Sequence, residues 1–321
     1  MTLKLIKPPR LNKGDTVAVI APSYPVLPFK EMYLRGIQNL RSLGFEVKEG
    51  KTVNLQYHEY MAGTDIERAE DINNMFADEE VKAIICAIGG QVAIRTLRYL
   101  DFDLIRRNPK IFSGMSDITT FHTAFLAKAG LSGLHQTDVI FGFGADLKSD
   151  ATKYEMSLFM RATTNPEPLG KLPAFTKWEV WRKGRGEGRL FGGNIPSLQT
   201  LLATPYFPKL DEGTILFLEC TAKPLDKIDQ DMVQFREAGM FDNAKGMLIG
   251  KIRGGEGNTV KDMTAEVRNV VIDVTSTFDF PIIGNMDFGH YTPNIPLPTW
   301  LKASVDADDC SRVSIDESYV G

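Results

Sequence analysis

Cysteine is scarce in this chain, with only Cys86, Cys220 and Cys310 in 321 residues. Three thiols cannot all pair with one another, and their spacing suits neither a disulfide framework nor a zinc site. The expected setting is a reducing cytoplasm. Long apolar runs are also missing. Stretches such as "AIICAI", Ala83 to Ile88, are the size of a buried strand and too short to span a bilayer. The opening "MTLKLIKPPRLNKGD" carries lysines and prolines but no apolar segment of signal-peptide length. No membrane partner is expected. Neither sign of charge dominates: 37 basic side chains face 41 acidic ones, and no basic stripe stands out, which argues against nucleic acid as a partner. No HExxH or similar pattern occurs, so neither a metal nor a cofactor is expected. Internal repeats and low-complexity tracts are absent.

What is present is a soluble globular composition, 43% hydrophobic and 24% charged, in a chain long enough for about two domains. The first half alternates strand and helix signals. "TVAVIAPS" (Thr16 to Ser23), "FEVKEG" (Phe45 to Gly50), "VKAIICAIGG" (Val81 to Gly90), "KIFSG" (Lys110 to Gly114) and "LSGLHQ" (Leu131 to Gln136) read as strands. Helical periodicity fills the intervals at Pro28 to Gly44, Asp65 to Asp78, Val92 to Leu100 and Asp117 to Gly130. Strands that are continuous apolar runs are buried on both faces, and right-handed crossovers then give a doubly wound α/β domain. We expect it over residues 1–150, a linker over residues 151–177, and a second, smaller α/β domain with a mixed sheet over residues 178–321. "EVWRKGRGEGRLFGGN", "TILFLEC", "GMLIGKI" and "FPIIGNMDFGH" supply strands to the latter, and the last segment reads as two short strands across an "ADD" turn.

In open parallel sheets, ligands bind outside the carboxyl ends of the strands. Three such ends are marked here: "APSYP", "IGGQ" and "SGMSD". Ser116 sits where a strand turns abruptly into a helix. Such a serine is exposed above the sheet near the positive end of the helix dipole, as a nucleophile requires. The backbone N–H of Asp117 and one from Gly89 or Gly90 would then be available to an oxyanion. Serine is equally a favoured helix N-cap, although Thr119 stands where a capping box needs Glu or Gln, and Ile118 replaces the second glycine of a G-x-S-x-G elbow. Both readings of Ser116 remain open on this stretch.

A serine nucleophile needs a base, and there are only four histidines. His122 lies inside the helix after Ser116, His58 in a polar connection, and His135 at the end of the fifth strand, where it competes. His290 closes "FPIIGNMDFGH" in a loop bounded by glycine and proline, and its surroundings make it the best candidate. Glu219 ends the apolar strand "TILFLEC" and could orient a base; exposure at the strand end is the plainer account. In "RLFGGNIPSLQTLLATPY", a tight turn explains Gly192 and Gly193, while a functional reading gives Asn194 a substrate polar group to hold. "RGGEGN" (Arg253 to Asn258) lacks the context of a phosphate cradle and reads as a turn. Cys86 and Cys220 read as buried strand residues. Trp178 and Trp181 fit strand packing, or offer a flat face to a ring.

With these residues the chain resembles the LD-carboxypeptidase family, the serine peptidases that include muramoyltetrapeptide carboxypeptidases and microcin-C immunity peptidases. The resemblance runs from "GDTVAVIAPS" through "AIGG", "RTLRYLDFDLIRRNPKIFSGMSDIT", "GRLFGGNIPSLQTLLATPY" and "ILFLE" to "FGHYTPNIPLP". It implies Ser116 as nucleophile, His290 as general base and acid, and Glu219 as its orienter. The oxyanion then falls to Asp117 and Gly90, and substrate contacts to Gly89, Gln91, Asn194, Trp178 and Trp181. It further implies a flavodoxin-like first domain, a site at the domain junction and a homodimer. Three stretches depart from the family pattern: "QVAI" after the double glycine, "HQTD" where His-Gly-Pro is common, and "LPTW" with Trp300 in place of glycine. These departures bear on substrate and leave the triad positions intact. The implied activity is hydrolysis of an amide next to a free carboxylate, releasing a terminal D-amino acid from murein peptides. Two alternatives stand beside it: cleavage of an aminoacyl- or peptidyl-nucleotide amide, as in the microcin branch, and a non-catalytic small-molecule-binding protein on the same scaffold.

Overall fold

The computed structural model describes residues 4–221, 223–254, 261–291, 293–308 and 312–321. Most of the expected "RGGEGN" turn, Asp309 of the "ADD" turn, and Cys310 lie outside the described residues.

The first sheet is built from β1 (Thr16–Ile20), β2 (Glu46–Glu49), β3 (Val81–Cys86), β4 (Ile111–Gly114) and β5 (Leu134–His135). They run parallel in the order β5-β4-β3-β1-β2. Alternation along β1 shows how both faces are covered. Val17 and Val19 pack with Tyr33, Ile37 and Leu40 of helix α1 (Lys30–Ser42). Ala18 and Ile20 pack with Ile72, Met75 and Phe76 of α2 (Asp65–Ala77). Strand order reverses at β1 and β3, so the loops after them diverge and open a crevice at the carboxyl edge. The helix expected over Val92 to Leu100 is instead a 3-10 run, Ala93–Tyr99, followed by α3 (Phe102–Arg107), which restarts because Asp101 accepts the Leu104 N–H at 2.8 Å. Helix α4 (Thr119–Ala129) follows β4 and is almost entirely buried.

The second half contributes β6 (Gly170–Lys171), β7 (Glu179–Arg182), β8 (Arg185–Asn194), β9 (Thr214–Glu219), β10 (Ala244–Gly250), a separate antiparallel pair β11 (Arg253–Gly254) and β12 (Lys261–Asp262), β13 (Ile282–Met286), β14 (Leu297–Pro298), β15 (Lys302–Asp306) and β16 (Arg312–Ile315). Among the described residues, eight of these form a mixed sheet in the order β6-β16-β15-β8-β9-β10-β13-β7. Strands β8, β9, β10 and β13 are parallel at its centre, and the flanking pairs are antiparallel. The run read as one strand, "EVWRKGRGEGRLFGGN", is two strands that are not neighbours: Gly184, at φ 136°, separates edge strand β7 from central β8. Strand β14 crosses back and adds antiparallel to β5, making the first sheet six-stranded.

The stretch expected to be a linker is packed structure. Helix α5 (Asp150–Thr164) buries Thr152, Glu155, Met156, Phe159, Ala162 and Thr163, an i, i+3, i+4 stripe. Leu169 and Leu172, on either side of β6, are also buried. Of these, Met156, Phe159, Ala162, Leu169 and Leu172 join one core cluster that contains Val19 and Ile85 of the first sheet and Leu190, Phe217 and Ile283 of the second. The shared core fixes the two sheets against each other, and the crevice lies where they meet.

Candidate active site

Ser116 opens a 3-10 turn, Ser116–Ile118, between β4 and α4. Neither that turn nor α4 has a side-chain cap, so the capping account of Ser116 fails. Its backbone is left-handed, φ 60°, a conformation that costs a non-glycine residue roughly 1–2 kcal/mol. The turn lifts Oγ out of the sheet edge towards His290, whose Nε2 lies 3.0 Å away. On its other side, His290 Nδ1 meets Glu219 Oε2 at 2.6 Å. Nδ1–H therefore donates to the carboxylate, leaving Nε2 as the acceptor for the serine hydroxyl.

Glu219 is fully buried at the end of β9, which overturns the plainer account of an exposed strand end. Its second oxygen, Oε1, accepts from Asn194 Nδ2 at 3.0 Å. Parallel register places Asn194 of β8 directly beside Glu219 of β9. Asn194 also caps α6 (Ile195–Leu201), its Oδ1 accepting the Ser197 N–H at 3.3 Å. The expected tight turn at Gly192–Gly193 is the extended end of β8. A Cβ on Gly193 would sit 2.5 Å from the Thr119 side chain, whose Oγ1 accepts the Asn194 N–H at 2.9 Å. Glycine thus lets the Glu219-bearing sheet lie against the start of α4.

Asp117 turns its side chain away from Ser116. Its Oδ2 accepts from Ser23 Oγ at 2.6 Å and from the Ala93 N–H at 2.8 Å, tying together the loops after β1, β3 and β4. A Cβ on Gly90, at φ 152°, would fall 2.2 Å from Ser23 Oγ, so a side chain has no room there.

Above these groups lies a cavity of about 440 Å³ lined by Ser116 and His290, by Gly89, Gly90, Gln91 and Met115, by Thr221, Gly289 and Asn294, and by Tyr24, Phe29, Thr137, Asp138 and Phe141 among others. Gly89, Gly90 and Gln91 therefore reach it as expected from the sequence. Three other expected substrate contacts are corrected. Asn194 is spent on Glu219. Trp178 is buried, with Nε1 donating to Asp287 Oδ2 at 2.7 Å, and Trp181 packs in a second core cluster. Neither tryptophan lines the Ser116 cavity.

The other histidines separate by burial. His122 is packed inside α4 with Nε2 3.0 Å from the Gly114 carbonyl, and burial pushes its pKa down to about 3. His135 stacks on Phe217 with Nε2 4.0 Å from Glu219 Oε1; burial pushes it down to about 4 despite that carboxylate. His58 is exposed on the surface. For His290, burial disfavours the charged ring, but the Glu219 carboxylate, its hydrogen bond and Asp138 outweigh this, and the pKa stands above 6.5. Glu219 is held below its ordinary value: burial opposes its charge, and His290, His135 and Asn194 more than compensate.

Sequence reasoning missed Asn294 and Asp138. Asn294 Oδ1 accepts the Gly289 N–H at 2.7 Å, and its own N–H donates to buried Glu155 at 3.2 Å, which fixes the loop carrying His290. Its proline-flanked setting in "TPNIP" was the one available signal. Asp138 follows the "HQT" of the fifth strand, and burial pushes its carboxyl up to about 7. Among the described residues no group of three His, Cys, Asp or Glu side chains is placed to hold a metal, and no helix is long and apolar enough to cross a membrane.

Residues 17–136 match the LD-carboxypeptidase N-terminal domain, and residues 187–305 match the LD-carboxypeptidase C-terminal domain. The chain is 35% identical over 313 residues to a probable murein peptide carboxypeptidase of Bacillus subtilis, covering 96% of this chain and 93% of that one. Two solved structures share the fold. A muramoyltetrapeptide carboxypeptidase from Oxalobacter formigenes superposes with a TM-score of 0.78 at 26% identity, covering 93% of this chain and 97% of that one. The microcin C7 self-immunity protein MccF, in complex with aspartyl sulfamoyl adenosine, superposes at 0.88 with 25% identity, covering 98% and 100%.

Proposed function

Because this chain belongs to the LD-carboxypeptidase family, we propose that it is a serine carboxypeptidase that hydrolyses the amide before a terminal D-amino acid in murein peptides. The observation that carries this reading is His290 standing between Ser116 Oγ and the Glu219 carboxylate, at 3.0 and 2.6 Å. Ser116 Oγ attacks the carbonyl carbon of the scissile amide while His290 Nε2 removes its proton. Glu219 holds the imidazole in the tautomer that can do so and stabilises the imidazolium that forms. The backbone N–H groups of Asp117 and Gly90 take the oxyanion. His290 returns the proton to the leaving amine, the C–N bond breaks, and a water activated by the same imidazole releases the acyl group from Ser116. Gln91 and Thr221, on the cavity wall, supply polar groups for the carboxylate of the leaving residue.

A second reading is cleavage of an aminoacyl- or peptidyl-nucleotide amide. It is favoured by the structural likeness to MccF with aspartyl sulfamoyl adenosine, and by the rings of Tyr24, Phe29 and Phe141, which give the cavity the stacking surface that the buried tryptophans do not. A paired assay separates the readings. Wild type and Ser116→Ala are offered a murein tetrapeptide and an aminoacyl-sulfamoyl adenosine, with products followed by mass spectrometry. Release of D-alanine by wild type alone supports the first reading. Turnover of the nucleotide compound alone moves the chain to the second. Equal inertness on both favours a binding protein. The family reading also expects a cytoplasmic homodimer; light scattering at micromolar concentration tests the dimer.

A further inference from the structure

Two backbone N–H groups flank Ser116, those of Asp117 and Gly90, and neither finds a backbone acceptor among the described residues. A Cβ on Gly89 would fall 2.7 Å from Ser116 Cβ, so the Gly89–Gly90 peptide lies against the serine. The direction of its N–H is set from the far side. The Tyr24 N–H donates to the Gly89 carbonyl at 3.0 Å. In a planar trans peptide the C=O and the N–H point opposite ways, so holding Gly89 O towards Tyr24 turns the Gly90 N–H away from it.

Residues 88–92 belong to no helix or strand, so no ladder holds that peptide in place. Ser23, beside Tyr24 in "APSYP", does so instead. Its Oγ–H donates to Asp117 Oδ2 at 2.6 Å, and the same Oγ accepts the Val92 N–H at 3.2 Å. Asp117 Oδ2 also takes the Ala93 N–H at 2.8 Å. These contacts close a ring from Asp117 through Ser23 to Val92 and Ala93, just beyond Gly90. Ser23 is anchored in turn, since its carbonyl accepts the Ala62 N–H at 2.9 Å. Both Ser23 and Asp117 are buried, where hydrogen bonds to a carboxylate are strong.

We propose that Ser23 is a positioning residue: by linking the Asp117 carboxylate to the loop after β3, its hydroxyl sets the Gly90 N–H against the Asp117 N–H, so that both reach the oxyanion formed at Ser116. The inference rests on the serine-hydrolase part of the proposed function and does not depend on which amide is cleaved.

A fluorophosphonate tests this without a peptide. Ser116 Oγ bonds to phosphorus, fluoride leaves, the hydroxyl proton passes to His290, and the phosphoryl oxygen takes the place of the oxyanion. In Ser23→Ala the maximal labelling rate should fall roughly 10- to 100-fold, as a misplaced donor costs. The half-saturating concentration and the acid limb of the pH profile should stay unchanged, because His290 and Glu219 are untouched. Asp117→Ala removes the acceptor of the same link and should lose as much, and the double variant should lose no more than the larger single loss. Either single variant serves if the other fails to fold. A wild-type rate in a folded single variant, losses that multiply in the double variant, a displaced acid limb, or a wild type that is not labelled would overturn the proposal. Hydrolysis of a murein tetrapeptide by wild type is scored separately. Labelling in the expected pattern without release of D-alanine supports the Ser23 assignment and sinks the peptidase reading; release of D-alanine with full labelling in Ser23→Ala does the reverse.

Discussion

Asn194 and Glu219 are direct neighbours across the parallel β8–β9 ladder, and the amide of one holds the carboxylate of the other at 3.0 Å. The same asparagine caps α6, so one side chain fixes both the helix and the carboxylate that is hydrogen-bonded to His290. Asn194→Asp should keep the cap while setting a second buried carboxylate against Glu219. Asn194→Ala should lose the cap, at about 1 kcal/mol, and leave one Glu219 oxygen unsatisfied. If orientation of Glu219 is what matters, kcat/KM falls further in Asn194→Asp than in Asn194→Ala, although Asp is the better cap. Steady-state kinetics beside thermal melts check the order.

Ser116 holds a left-handed backbone that glycine would adopt without strain. Ser116→Gly and Ser116→Ala should both lose at least about 10³ in kcat, as removal of a nucleophile does. Ser116→Gly should be the more stable of the two by about 1 kcal/mol, since alanine retains the Cβ that disfavours φ 60°. Denaturant unfolding of the two inactive variants gives the difference directly. No difference would mean that the turn relaxes in solution.

The His290–Glu219 pair gives stability and activity opposite pH slopes. His290 must be neutral to act as a base, and its pKa is raised, so the acid limb of kcat/KM should lie above 6.5. A raised folded pKa contributes stability that is complete below the unfolded value and is lost as pH rises through the folded one. Glu219 has the opposite sign: its folded pKa is lowered, so its contribution is complete above 4.5 and is lost as pH falls through the folded value. The pair therefore stabilises most between about pH 4.5 and 6.5, while activity increases above that window. Melting temperature and kcat/KM measured across pH 4 to 9 should cross in this way. Parallel profiles would show that the pair is not the titrating unit.

Gly193 is where the second sheet touches the start of α4. Gly193→Ala places a Cβ about 2.5 Å from the Thr119 side chain at a backbone φ of 141°. The expected cost is roughly 1–3 kcal/mol, and activity should fall with it, because Thr119 also receives the Asn194 N–H. Thr119→Ser removes the methyl but keeps the hydroxyl oxygen, which lies at the same 2.5 Å from that Cβ, so the double variant should recover only a minor part of both losses. Full rescue in a melt would mean that the methyl alone sets the cost, with no share from the hydroxyl contact or from strain at φ 141°.

The sequence by itself determined the parts that are written locally. Apolar runs bounded by glycine marked β1, β3 and β4, and their carboxyl ends marked where a ligand would sit, because a strand buried on both faces needs no distant information to look like one. Ser116, Glu219 and His290 were legible as candidates, since each closes or follows such a run and matches an ordered set of motifs. Tertiary structure decided the rest. The β8–β9 register gave Asn194 to Glu219 instead of to substrate, and strand pairing between distant segments has no local signature. Trp178 and Trp181 stand at a strand whose neighbour, β13, lies about a hundred residues on, so their burial away from the cavity could not be read from "KWEVWRKG". Residues 151–177 carried polar and proline signals on the surface of a stripe that only a shared core makes visible. Asp138 drew no separate reading within "HQTD", and only the tertiary fold buried it in the wall of the Ser116 cavity.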